Sequence, residues 1–177
     1  MTILAYIFGI AGIVANFAIY QQKDRKHLLM VKLLSDTLWT AHYCSLFAWS
    51  GAAVCAIGML RETVFINQNK KWASSKIWLL IFLVLAIISA VLTWQSPLSI
   101  LPAFASILAV FSYWRGEPKL TRILGLFISA AFLTYDVYCG SYMGIVNEIF
   151  TLTSVTIGFV RDIRTKNAHK SNNDPPA

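Results

Sequence analysis

The chain has 177 residues and a formal net charge of +7, yet only 13% of its residues are charged, 57% are hydrophobic, and the mean hydropathy is +0.61. A typical soluble domain has about 25% charged residues, so this composition excludes an ordinary water-soluble globule and points to a membrane protein that crosses the bilayer several times. The positive charge does not indicate nucleic acid, because Lys and Arg sit in short turns between apolar runs and form no stripe on any one element.

Seven apolar runs in chain order are long enough to span a bilayer, at about 3–20, 28–46, 48–66, 76–94, 97–114, 120–138 and 142–160. The opening MTILAYIFGI has no basic stretch and no small-residue cleavage site before Tyr20, so it is expected to be the first span rather than a removable signal. Cys44, Cys55 and Cys139 are odd in number and lack disulfide or zinc spacing, and they read as small packing residues. One polytopic domain over residues 1–166 is expected, followed by a polar cytoplasmic tail over 167–177.

Orientation follows from Lys and Arg, which favour cytoplasmic connections. The first turn carries Lys23, Arg25 and Lys26, with Lys32 just beyond. The third connection carries Arg61, Lys70, Lys71 and Lys76, the fifth Arg115, Lys119 and Arg122, and the tail Arg161, Arg164, Lys166 and Lys170. The alternate connections, around Phe47–Ser50, Gln95–Pro97 and Gly140–Gly144, have none. The alternation predicts an N-terminus on the outer side and a cytoplasmic C-terminus. Trp49, Trp94, Tyr138 and Tyr142 near one set of ends, and Tyr20, Trp72, Trp78, Tyr113 and Trp114 near the other, fit interfacial aromatic belts.

A weak internal repeat is present. Gly58–Glu62 reads GMLRE and Gly158–Asp162 reads GFVRD, and Tyr43-Cys44 is matched by Tyr138-Cys139. This predicts two parallel three-helix units, about 3–66 and 97–160, joined by a connector at about 76–94. The connector has nothing polar between Trp78 and Ser89, as expected of a helix that faces mainly lipid. The other helices show small or polar faces, such as Gly9, Gly12 and Asn16, or Gly51, Cys55 and Gly58, which serve close packing or line a cavity.

The run QQKDRKHLLMVKLLSDTLWTAHY, with the overall length, resembles the bacterial inner-membrane proteins of the Imp-YgjV family. The 3+1+3 plan is more distantly similar to the SWEET and PQ-loop proteins. That resemblance implies an all-α bundle of seven transmembrane helices in two triple-helix repeats, with a path between them. The Pro-Gln of the PQ-loop proteins is replaced here by Ile19-Tyr20-Gln21-Gln22 and Phe111-Ser112-Tyr113-Trp114. The fold expectation survives this departure, whereas the transport expectation weakens.

Ionisable residues inside a membrane are functional candidates. Lys32 and Asp36 are four apart and share a helix face with Trp39 and Tyr43. They form either a structural ion pair or a site coupled to a solute or proton. His42 is expected near the outer end of its helix, as a satisfied interfacial group or a titrating one. Asp136 and Glu148 flank the last uncharged turn, Asp136 within reach of water at the mouth and Glu148 deeper. Asn147 and Asn16 carry amides that both donate and accept. No catalytic motif, metal cluster or cofactor signature is present, so an enzyme is not expected. The expected role is a carrier for a small polar solute, with the lipid bilayer as its surroundings and homo-oligomer formation open. The alternative is a receptor or structural protein that keeps the fold without transporting. A polar cavity between helices 1, 2, 5 and 6 would favour the carrier.

Overall fold

The computed structural model describes residues 3–21, 25–115, 118–153 and 155–157, and all its regular structure is helical. The elements are α1 (Ile3–Gln21), α2 (Arg25–Ser45), α3 (Trp49–Ile66), α4 (Ile77–Leu92), α5 (Ile100–Arg115) and α6 (Pro118–Cys139), with a short 3-10 turn at Pro97–Ser99 leading into α5. A further helix, α7, covers 142–153, and 155–157 are helical too. The Gly158–Asp162 motif, Lys23 and the basic tail lie outside the described residues.

Local chemistry explains the breaks. Pro97 and Pro118 open their elements, where a missing N–H costs nothing. The α6–α7 turn closes with Gly140 in the left-handed region at φ 69°; Gly140 N–H donates to Val137 O (3.4 Å) and Ser141 N–H to Asp136 O (2.9 Å). This is the Schellman pattern that glycine favours. The α2–α3 turn repeats it bond for bond, with Phe47 N–H donating to Cys44 O (3.1 Å) and Ala48 N–H to Tyr43 O (3.0 Å). Here the left-handed position is held by Phe47 at φ 56°, a conformation that costs a residue with a Cβ about 1–2 kcal/mol.

Within the bundle α2 packs between α1 and α3, α4 lies on α3 and α5, and α5 lies on α6. α7 returns against α1, where Phe17 and Phe150 meet edge to face at 5.8 Å between centroids. α4 buries only Phe82, Ala86 and Ser89, as its all-apolar sequence suggests. The uncharged turns gather at one end. Ser50 Oγ donates to Thr93 O (2.8 Å), Gln95 Nε2 donates to Phe47 O (3.3 Å), and His42 bonds Ser141 across the bundle.

Polarity is reversed relative to a soluble protein. Apolar side chains cover the outside, with Ile3 80% and Leu92 78% exposed, whereas Ser35, His42, Glu62, Asp136 and Ser141 are fully buried. An apolar surface this extensive marks contact with lipid rather than water. By length and composition alone, α3 is the one described helix able to cross a membrane; Ile3–Ile19, Ile77–Leu92, Pro97–Ser112 and Ile123–Cys139 are shorter apolar helices. Of the seven expected spans, one therefore passes by that measure among the described residues. Lys32, Asp36 and His42 also make α2 less apolar than a single span requires.

The gathering of the uncharged turns at one end makes orientation testable. An alkaline phosphatase reporter inserted after Gln95 is expected to be active, and one inserted after Lys70 inactive. The opposite pattern would invert the orientation.

Candidate functional site

A cavity of about 490 Å³ lies among α1, α2, α3, α6 and α7. Along α2 it runs from Leu28, near the basic-turn end, through Lys32, Asp36 and Trp39 to Tyr43. Cys55 faces it from α3; Ile128, Ser129 and Phe132 from α6; Asn147, Glu148 and Thr151 from α7. Six of the residues singled out in the sequence, Asn16, Lys32, Asp36, Trp39, Asn147 and Glu148, come together on its wall. No described side chain of α5 lines it, so it is not the cavity between helices 1, 2, 5 and 6 that would favour the carrier. The return of α7 against α1 puts α7 where α5 was expected.

One wall is an ion-pair network. Lys32 Nζ donates to Asp36 Oδ1 and Oδ2 (3.2 and 3.3 Å) and lies 3.8 Å from Glu62 Oε1. Arg61 holds the same Glu62 oxygen from Nη2 and Nε (3.0 and 3.2 Å). Asp36 can approach α3 this closely because Gly58 has no Cβ: a Cβ there would collide with the carboxylate. Arg61, expected as a loop charge marking topology, is instead buried within α3, because Glu62 beside it supplies the counter-charge. Lys70, Lys71 and Lys76 remain in that connection.

A relay of neutral groups leads to Glu148. Ser35 Oγ donates to Asn16 Oδ1 (2.7 Å), Asn16 Nδ2 to Asn147 Oδ1 (2.7 Å), and Asn147 Nδ2 to Glu148 Oε1 (3.0 Å). The chain of donors crosses from α2 through α1 to α7 and ends on a carboxylate. The amide orientations follow from these partners.

Beyond Tyr43 the bundle is shut. Tyr43 OH donates to Asp136 Oδ1 (2.8 Å), and Gly51 N–H donates to Tyr135 OH (3.2 Å). His42 Nδ1 faces the Ala5 carbonyl at 2.7 Å, which can only accept, so Nδ1 carries the proton. Ser141 Oγ then donates to Nε2 (2.7 Å) while accepting Gly144 N–H (3.1 Å). His42 and Asp136 therefore do not line the cavity. His42, expected at an interface, and Asp136, expected to meet water, are both fully buried. The reason in each case is a partner on another helix that sequence spacing cannot show. Tyr43, Tyr135 and Ser141 read in sequence as ordinary aromatic and turn residues. Tyr43 alone gave a signal, through its place on the Lys32–Asp36–Trp39 face.

Residues 3–166 match the Imp-YgjV family, described as a bacterial inner membrane protein. No curated protein and no solved structure gives a significant match.

The closed end depends on close approach at glycine. A Cβ at Gly144 would run into the Asp136 carboxylate, whereas one at Gly125 would meet only Val155 Cγ2, at 3.9 Å. Gly144→Ala is expected to cost about 1–3 kcal/mol by overpacking and to lower the melting temperature in detergent. Gly125→Ala is expected to leave it unchanged or raise it, since Ala is favoured in a helix by about 1 kcal/mol. Equal behaviour of the two variants would contradict the packing described.

Proposed function

The chain belongs to the Imp-YgjV family of bacterial inner membrane proteins, and we propose that it is a multi-pass carrier for a small polar solute, without enzymatic activity. The observation that carries this reading is the cavity itself. Its volume falls in the range of about 300–1,000 Å³ usual for small-molecule sites, and charged, amide and aromatic side chains converge on it. Side chains that only hold a bundle together would pack against one another and leave no such space.

The carrier reading includes two parallel repeats that move against each other. The matching turns at Phe47 and Gly140 support it. Their offset along the chain also relates Asp36 to Ser129, Trp39 to Phe132 and Cys55 to Glu148, and all six residues line the cavity. The same offset relates Tyr43 to Asp136, which are bonded to each other. In the proposed state the cavity opens toward the cytoplasmic, basic-turn side. The buried contacts of His42, Tyr43, Tyr135 and Asp136 close the periplasmic side. Opening outward requires those contacts to part while the basic-turn ends close.

The missing Pro-Gln prolines favour the rival reading, a receptor or structural protein that keeps the fold without transporting. Uptake decides between them. Purified protein in liposomes is expected to accumulate at least one of a panel of labelled sugars, polyols, amino acids and amines above empty vesicles. Asp36→Asn and Glu148→Gln are each expected to lower that uptake about tenfold, the loss of one charge-assisted hydrogen bond. If both variants leave uptake of every solute unchanged, the carrier reading falls.

A further inference from the structure

We propose that the cavity selects a small organic cation, bound through an ammonium group at Glu148. This deepens the carrier reading and rests on it for the direction of transport, but not for the binding itself.

The argument begins with charge. Among the described residues, three side chains that bear a full charge in water line the cavity: Lys32, Asp36 and Glu148. Lys32 is held by Asp36 at 3.2 Å and shares Glu62, at 3.8 Å, with Arg61. Those four residues balance two positive against two negative charges. Glu148 is hydrogen-bonded by neutral side chains, the Asn147 amide (3.0 Å) and the Ser129 hydroxyl. Lys32 acts on it electrostatically, but among the described residues no Lys or Arg lies within ion-pair distance of it. The cavity wall therefore carries one carboxylate more than its cations balance. A carboxylate away from bulk water calls for a counter-charge, and the space beside it is large enough for a molecule rather than a bare ion.

The remaining lining suits a cation. Trp39, Tyr43 and Phe132 bring three aromatic rings to the same cavity, and aromatic faces attract ammonium groups. Trp39 is buried, and its indole N–H, packed against Gly12 of α1, has no acceptor among the described residues. Asn16 and Asn147 supply amides for further polar groups on the same molecule. An anionic solute finds no such welcome, because Lys32, the one lining cation among the described residues, is already held by two acids.

The test is equilibrium binding to the purified full chain in detergent, read by calorimetry and by thermal shift. The probes are ethanolamine and choline, set against ethylene glycol and dimethylbutanol, their uncharged counterparts. The amines are expected to bind at least about tenfold more tightly than their neutral counterparts, and Glu148→Gln is expected to erase that difference. The comparison of charged and neutral probes on the unaltered protein stands even where the variant fails to fold. Equal binding of each pair, binding of the neutral member alone, or the same stabilisation by sodium chloride would overturn the proposal. Amine binding without uptake in liposomes would keep this inference and remove the carrier. Uptake of a neutral polyol without amine binding would do the reverse.

Discussion

The hydrogen bond from Tyr43 to Asp136 is the contact on which the arrangement of the bundle turns. It joins α2 to α6 at positions that precede two identical helix-ending turns. The Asp136 carboxylate also lies over Gly144, so α7 is drawn into the same junction. In hydrocarbon there is no water to take over a polar group that loses its partner, so each such group needs one inside the protein. Tyr43, His42 and Asp136 find theirs only across helix boundaries. The end of the bundle where they meet is therefore closed, and the open volume is displaced toward the basic turns. Asp136 Oδ2 is the exception, buried without a hydrogen-bond partner.

The same constraint separates the two kinds of charge in the middle of the molecule. Lys32, Asp36, Arg61 and Glu62 are tied together between α2 and α3, and glycine at position 58 lets them sit close. Glu148 takes its hydrogen bonds from neutral donors, Ser129 and the amide relay that starts at Ser35, and Lys32 acts on it only from beyond ion-pair distance. A balanced network on one wall and an unbalanced acid on the other give the cavity a direction. It is this contrast, more than the presence of acids as such, that suits the site to a ligand.

Much of the fold was legible because membrane helices declare themselves by length, apolarity and the placement of Lys and Arg. The small-residue faces were legible too. Gly9, Gly12, Gly51 and Gly58 each meet a side chain from a neighbouring helix, which only a residue without a Cβ allows. What spacing along one helix could supply, it supplied: Lys32, Asp36 and Trp39 do share a face and do line one space. What it could not supply was the identity of partners on other helices. His42 was placed at an interface and Asp136 in water, because Ala5, Ser141 and Tyr43 are remote in sequence. Arg61 was counted as a loop charge, because nothing local distinguishes a basic residue at a helix end from one buried beside an acid. The Tyr43-Cys44 and Tyr138-Cys139 match differs by two residues from the correspondence of the two turns, in which Tyr43 falls opposite Asp136.

The central claim is a cavity reached from the basic-turn side and sealed at the other. Its most direct test is thiol accessibility at Thr151, which lines the cavity on α7, in a background where Cys44, Cys55 and Cys139 are replaced by serine. A cysteine at this position, Thr151→Cys, is expected to react with a membrane-impermeant maleimide in inside-out vesicles and to be protected in right-side-out ones. Protection from both sides would mean a dry, packed centre, and reaction from the periplasmic side alone would reverse the gate; either result would contradict the account.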